Sequence, residues 1–199
     1  MTLEKLDFKK SLKALYTARQ RVEEVDAPSG RFLAIDGRGL SPDGKVFEEA
    51  AGKLYPLAYT LKFARKAEGG QDFAVPPMEA LWFDGPDVPM AQWRWRILIR
   101  VPDDVTEASL TPIRATVEAK QGTDTSDVRL ITFEEGRCIQ TLHLGPFDKV
   151  SEAYMRLGAH AEEHSLAFSG PGHEVYLSDP RRTAPEKLKT VVRMPVRPK

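Results

Sequence analysis

The sequence predicts an α+β fold made of two pseudo-symmetric β-α-β-β modules with a groove between them. Three observations carry this expectation. Strand-like and helix-like segments run in the order strand, helix, strand, strand, and after a linker helix at 106–120 much the same order returns. Gly30 and Arg31 recur as Gly136 and Arg137, and Gly39 recurs as Gly145, at an offset of 106 residues in each case. Each unit also places a proline, Pro42 or Pro146, before a long helix, and a glutamate in the strand that follows it: PMEALW at 77–82 and GHEVYL at 172–177.

Taken in order, residues 2–21 read as a polar segment with a helical turn through Phe8, Leu12 and Leu15. Residues 31–37 alternate as a strand, which Gly37, Gly39, Pro42 and Gly44 then break. Phe47, Ala50, Leu54, Ala58 and Leu61 recur at helical spacing. Pro56 lacks an N–H, so this helix is expected to stop near Leu54 and restart with Pro56 in its first turn. Residues 73–83 read as a strand with an edge or bulge at Pro76 and Pro77. In the strand at 92–101, Trp93, Trp95, Ile97, Ile99 and Val101 face one way. Strands at 128–133 and 137–144 are expected to pair through a tight hairpin at Glu134, Glu135 and Gly136. A helix at 147–166 turns Val150, Tyr154, Leu157 and Ala161 to one side, and a short strand follows at 173–178. Thr183 to Glu186 reads as a capping box opening a short helix, before a last strand at 190–196.

The chain has 199 residues, and the whole of 1–199 is read as one domain with halves near 22–104 and 105–199. Hydrophobic residues at 41% suffice for a shared core. No apolar run approaches the ~18 residues of a membrane span. With no leader pattern at Met1–Lys10, a cytoplasmic location is expected. Cys138 has no second cysteine to pair with, and its apolar strand marks it as a buried structural thiol rather than a nucleophile. Charge is uneven: residues 1–21 carry six basic against two acidic groups and residues 181–199 seven against one. That leaves 16 basic and 26 acidic groups, a net of −10, over 22–180. Such a body disfavours nucleic acid and favours a neutral or cationic small molecule, while the basic ends read as solvated.

If equivalent strands meet at a pseudo-two-fold axis, Glu79 and Glu174 both approach the groove, with Glu79 beside Leu81 and Phe83 and Glu174 beside Tyr176. A carboxylate on an apolar face must pair, protonate or meet a cation. Two of them close together would raise one pKa, which suits general acid–base work. The plainer alternative is that each glutamate pairs with Arg94, Arg96 or Arg129 on a neighbouring strand. Tyr55, Tyr59, Trp82, Trp93, Trp95 and Tyr176 are candidate walls, since aromatic faces cover flat rings and attract cations. HAEEH at 160–164 matches an inverted zinc-protease signature, but no third ligand accompanies it. Phosphate loops, nucleophile elbows and paired-cysteine motifs are absent, and Asp179 to Arg182 reads as a turn with solvated arginines.

Several stretches resemble stand-alone GyrI-like proteins of the GyrI-like and SOUL-type superfamily. They are EVYLSDPRR at 174–182, PEKLKTVVR at 185–193 with Pro195 and Val196, LHLGPFD at 142–148, VPPMEALWF at 75–83, and DFKKSLK at 7–13 with Leu15 and Tyr16. The resemblance implies two antiparallel β-α-β-β modules around a central ligand groove. Relatives serve as drug-sensing domains of transcription regulators, others inhibit DNA gyrase, and some stand-alone members hydrolyse cyclopropane-bearing DNA-alkylating toxins. By the same resemblance the central glutamate falls on Glu174, and a pocket glutamate and tryptophan fall on Glu79 and Trp82. Where relatives are expected to read LEGLWW this chain has MEALWF, and where they read HHE it has Gly172, His173 and Glu174, which puts pocket shape in question.

The resemblance therefore implies a hydrolase for an electrophilic, ring-strained small molecule. Trp82 and Tyr55 would sandwich a flat ring, Glu174 or Glu79 would deprotonate water, and Tyr176 would stabilise the oxygen on which charge develops. It needs no metal and no organic cofactor. A non-catalytic binder or sensor of lipophilic cations is the alternative reading. The expected partner is a small organic molecule, aromatic or cationic, with no membrane or nucleic acid; binding to gyrase is the protein interaction that the resemblance allows.

Overall fold

The computed structural model describes residues 4–39 and 45–199, so the predicted breaks at Pro42 and Gly44 lie outside the described residues. After a short helix, α1 (Phe8–Ser11), the chain forms β1 (Glu23–Ala27), β2 (Gly30–Arg38), α2 (Lys45–Ala67), β3 (Glu79–Trp82), β4 (Arg94–Val101) and α3 (Glu107–Gln121). The second module is β5 (Arg129–Phe133), β6 (Gly136–Leu144), α4 (Ser151–Glu163), β7 (Leu166–Phe168), β8 (Gly172–Tyr176) and β9 (Lys189–Pro198). The result is an α+β fold on one antiparallel sheet in the order β1-β6-β9-β8-β3-β4-β2-β5, with β7 attached to β9. β1 and β5, β2 and β6, and α2 and α4 begin 106 residues apart, at Glu23 and Arg129, Gly30 and Gly136, and Lys45 and Ser151.

Several elements differ from the sequence expectation. α2 runs through Pro56 without a break. The carbonyl that Pro56 leaves without a helical partner belongs to Gly52, which is exposed to water, while buried Leu54, Leu57 and Leu61 hold the helix to the sheet on both sides of the proline. The segment at 73–83 pairs as a strand only over Glu79–Trp82; Phe73 instead forms an isolated parallel bridge with Leu6. β5 and β6 do not form a hairpin: β5 pairs with β2, and β6 with β1 and β9. The consecutive strands β1 and β2 thus pair with β6 and β5 in turn, and residues 134–135 link β5 to β6. The Thr183 capping box does not form; a single 3-10 turn spans Pro185–Lys187 with no side-chain cap. β1 escapes hydrophobic patterning because EEVDA is acidic on an edge, and β7 because it follows α4 after only two residues.

The two faces of the sheet have different covers. On one, α2 packs Leu54, Leu57 and Leu61 over Leu33, Ile97 and Ile99, and α4 packs Ala153, Leu157 and Ala161 over Ile139, Val192 and Met194. β3 and β8 pair directly at the centre of the sheet. On the other face lies the N-terminal segment, which buries Phe8, Leu15 and Tyr16 while exposing Lys5, Lys9, Lys10 and Lys13. It is a packed cover rather than a solvated end.

The ladder registers decide which residues share a face. Glu79 stands opposite Val175, and Ala80 opposite Glu174. Directly opposed residues project to the same side, and neighbours along a strand to opposite sides. Glu79 therefore lies with Leu81 and His173 under the N-terminal segment, and Glu174 with Ala80, Trp82 and Tyr176 on the helix side. This corrects the expectation that both glutamates enter one groove. Across the sheet, the row Ala34–Leu98–Glu79 of the first module is matched by Gln140–Arg193–His173 of the second. The positional counterpart of Glu79 is thus His173, and that of Glu174 is Ala80.

Glu79 is only 3% exposed and anchors a buried ionic cluster. Its Oε1 accepts from the Tyr16 hydroxyl at 2.8 Å, and its Oε2 lies 2.9 Å from His173 Nε2. His173 Nδ1 is 2.7 Å from Glu135 Oε2, which also accepts from Arg193 Nη1 at 2.9 Å. Arg193 donates further to the Gln140 side chain and to the Leu15 carbonyl. The alternative partners Arg94, Arg96 and Arg129 are engaged elsewhere, by Asp84 and Asp36. Burial alone would lower the pKa of His173, but Glu135 and Glu79 outweigh it and raise it from 6.5 to about 9. Burial would raise that of Glu135, but His173 and Arg193 pull it from 4.5 to about 2.

These shifts set a pH window for stability. The His173 contribution is complete below 6.5 and is lost as pH rises through about 9. The Glu135 contribution is complete above 4.5 and is lost as pH falls through about 2. The melting temperature should therefore be highest between those limits, and should fall from pH 6.5 to 9 in the native protein but much less in His173→Gln. Equal slopes in thermal melts of the two proteins over that interval would refute the assignment.

Candidate functional site

The helix side of β3 and β8 carries the other buried carboxylate. Glu174 is 5% exposed. Its Oε1 accepts from the Tyr154 hydroxyl at 3.0 Å and its Oε2 from the Tyr176 hydroxyl at 3.0 Å. The Trp82 indole N–H lies close to the same carboxylate but makes no well-aligned hydrogen bond. Among the described residues no lysine or arginine forms an ion pair with Glu174. Burial raises its pKa, partly offset by Tyr176, Tyr154 and Trp82 and by nearby His143. The Tyr176 and Tyr154 hydroxyls are pushed well up, by burial first and then by the Glu174 charge, so both remain protonated donors near neutral pH.

Two strand glycines make room for this arrangement. A Cβ on Gly172 would meet the Tyr154 hydroxyl at 2.7 Å, so the glycine lets the Tyr154 ring cross β8 and reach Glu174. A Cβ on Gly37 would stand 1.9 Å from the Trp95 ring, so the glycine lets that indole lie flat on β2, where its N–H donates to the Gly39 carbonyl at 2.9 Å. Trp95 sits opposite Trp82 across the β3–β4 ladder. Phe47 from the first turn of α2 stacks on Trp82 at 6.1 Å and meets Tyr176 edge-on at 5.7 Å. Phe147 meets Tyr176 edge-on as well, at 5.5 Å.

Of the residues singled out in the sequence, Glu174, Tyr176, Trp82 and Trp95 come together here. Trp93 precedes β4 and stands at the rim, edge-on to Trp82, with its N–H bound to the Val88 carbonyl. Tyr55 and Tyr59 do not join the cluster; they form a separate ladder along α2 with Phe63, and Tyr59 is 45% exposed. Glu79 is on the far face. Tyr154, Phe47 and His143 were not legible as site residues. Tyr154 and Phe47 hold regular positions in apolar helical stripes and read as core. The hydroxyl of Tyr154, which needs a partner when buried, is the one sequence signal that distinguishes it.

Cys138 is fully buried, and burial, with some help from Glu135, pushes its thiol to about 12, consistent with an inert structural role. His160 and His164 stack on each other at 3.9 Å near the end of α4, and among the described residues no three His, Cys, Asp or Glu side chains are placed to hold a metal ion. Asp179 turns back on Arg181, whose side chain is 85% exposed. Among the described residues no helix is long and apolar enough to cross a membrane.

Comparison with known proteins places this architecture. An uncharacterized conserved protein from Listeria innocua is 37% identical over 97% of this chain and all of its own, with a TM-score of 0.90. A hydrolase from the same organism is 36% identical over the same shares, with a TM-score of 0.88. The C-terminal domain of EcmrR shares the fold at 12% identity, covering 90% of this chain and 98% of its own, with a TM-score of 0.60. No curated protein matches the chain significantly. The model of the GyrI-like small molecule binding domain matches residues 20–197, and the chain belongs to that family.

Proposed function

We propose that the protein hydrolyses a small, ring-strained electrophile, of the cyclopropane-bearing kind, with Glu174 activating water. The observation that carries this reading is a buried carboxylate bonded by two phenols and set beside Trp82, with no lysine or arginine paired to it among the described residues. The similar Listeria innocua hydrolase supports the reaction class.

The chemistry follows from the donors present. A carboxylate has about four lone-pair sites, so Glu174 can keep both tyrosines and still accept a proton from water. Its raised pKa makes it a stronger base than an exposed glutamate. Water oxygen bonds to the ring carbon as Glu174 takes its proton. The strained C–C bond breaks, and its electron pair passes into a conjugated carbonyl, whose oxygen becomes anionic. As Glu174 takes up the water proton, the Tyr176 hydroxyl turns its single O–H from that carboxylate to the new anionic oxygen. The proton on Glu174 then goes to the oxygen, and the net change is addition of one water. Trp82 supplies flat apolar surface against which a planar substrate stacks, with the buried Trp95 beside it. Tyr55, Tyr59 and Trp93 contribute at most at the rim, and Glu79 acts only through the far-face cluster.

One observation favours a second reading, a non-catalytic binder of lipophilic cations. The uncompensated Glu174 carboxylate would gain most from a cation, and the surrounding rings would add cation–π attraction.

Glu174→Gln separates the two. With a cyclopropane-bearing alkylator as substrate, mass spectrometry should show catalytic formation of the water adduct by the native protein. The variant should lose at least about 100-fold in rate, the usual scale of a general base, while keeping affinity for a neutral substrate. Unchanged turnover would remove Glu174 from the reaction; retention of intact compound without turnover would favour the binder. A second variant tests the electrostatics. Tyr154→Phe deletes a hydrogen bond that lowers the Glu174 pKa, so the acidic limb of the pH–rate profile should move to higher pH. A limb that stays in place or moves down would show that another group titrates.

A further inference from the structure

The ring that covers the candidate floor belongs to the protein itself. Phe47 lies nearly parallel to Trp82, with 8° between the planes, tilts against Trp95 at 6.1 Å and meets Tyr176 edge-on. It therefore touches three of the aromatic groups around Glu174. We propose that Phe47 is a resident ring occupying the stacking position that a planar ligand takes on Trp82, so that binding exchanges one ring for the other. The proposal rests on the helix-side groove being the binding site.

Three features support it. Phe47 is half-buried in the first turn of α2, so its side chain can swing toward solvent without crossing the sheet. Trp95 is 3% exposed and tied to Gly39 by its N–H, whereas Phe47 has no polar atom and is held by ring contacts and dispersion alone. The Trp82 Nε1–H is buried with no aligned acceptor. It lies near the Glu174 carboxylate without good alignment, and an acceptor at the edge of the incoming ring would complete its bonding. The ligand class is a planar aromatic with a carbonyl or similar acceptor. Ring exchange returns one stacking contact for another, which makes Phe47 a competitor that tunes affinity and selects flat ligands.

The test uses the neutral planar naphthyl ketone prodan, followed by fluorescence titration. Phe47→Ala should tighten binding about 2- to 10-fold, the span of one stacking pair, and Phe47→Leu should fall between Ala and the native residue. Trp82→Ala should abolish binding in either background. Unchanged or weaker binding by both Phe47 variants, with Trp82→Ala still abolishing it, would make Phe47 an ordinary wall and overturn the proposal while leaving the groove reading intact. No saturable binding by any form, or binding that survives Trp82→Ala, would defeat both.

A different observation carries a second inference, on the far face. A cavity of about 10 Å³ lies among Tyr16, Glu79, Arg100, Glu135, His173 and Arg193, roughly the room of one water. Three buried polar atoms on these residues lack a hydrogen-bond partner: Glu135 Oε1, Arg100 Nε and His173 Nε2, the last in ionic contact with Glu79 but poorly aimed at it. We infer that one water is bound there, accepting from the nitrogen donors and donating to Glu135. An anion would neutralise Arg100, which has no carboxylate in ion-pair range among the described residues, but it would face the unpartnered carboxylate oxygen; a cation would face the guanidinium. Only a group that both donates and accepts fits both. A high-resolution crystal structure should show one ordered peak within hydrogen-bond distance of at least two of these atoms. Empty density, Glu135 turned directly onto Arg100, or an anomalous peak there after a bromide soak would each overturn the assignment.

Discussion

The pairing of β3 with β8 is the constraint on which the rest of the molecule depends. The two modules meet at this ladder, and its register places Ala80 opposite Glu174 and Glu79 opposite Val175. Because side chains alternate along a strand, a one-residue slip would send every one of them to the other face. The register therefore decides which carboxylate meets the aromatic residues and which meets the N-terminal segment. Neither glutamate alone could enforce it; the long β6–β9 and β2–β4 ladders on either side hold the central strands in place.

The two buried carboxylates solve one problem in two ways. A charge removed from water must be compensated. Glu79 does so with a histidine that is held protonated by a second carboxylate, Glu135, which is itself paired with Arg193. Such a network sets two carboxylates against two cations and is suited to fixing structure. Glu174 has two phenols and an indole against it and His143 nearby, and among the described residues it forms no ion pair with a lysine or arginine. The same residue type thus takes different roles because of what faces it across the sheet and from the covering elements.

Small residues and the chain termini complete the arrangement. Gly172 admits Tyr154, and Gly37 admits Trp95, so two of the residues nearest the site depend on positions that carry no side chain at all. The N-terminal segment, much of which precedes the residues matched by the family model, seals the far face through Tyr16 and the Leu15 carbonyl. These contacts tie the far face of the β3–β8 ladder to the N-terminal segment, so that the strands carrying Glu174 and Trp82 are supported from behind.

From the sequence alone one reads the α+β class and the recurring order of strands and helices, and picks out Glu174, Tyr176, Trp82 and Trp95, which the fold brings together. These follow from local periodicity, from glycine and turn residues, and from the cost of placing a carboxylate on an apolar strand. Only the tertiary structure puts Glu79 and Glu174 on opposite faces, brings Tyr154 and Phe47 up to Glu174, Tyr176 and Trp82, and leaves Tyr55 and Tyr59 in a ladder of their own along α2. It also joined α2 across Pro56 and separated β5 from β6. Each of these is set by register or by packing between residues far apart in the chain. A period of two identifies the two faces of a strand, but only the partner strand and the element covering it assign those faces to a site or to a core.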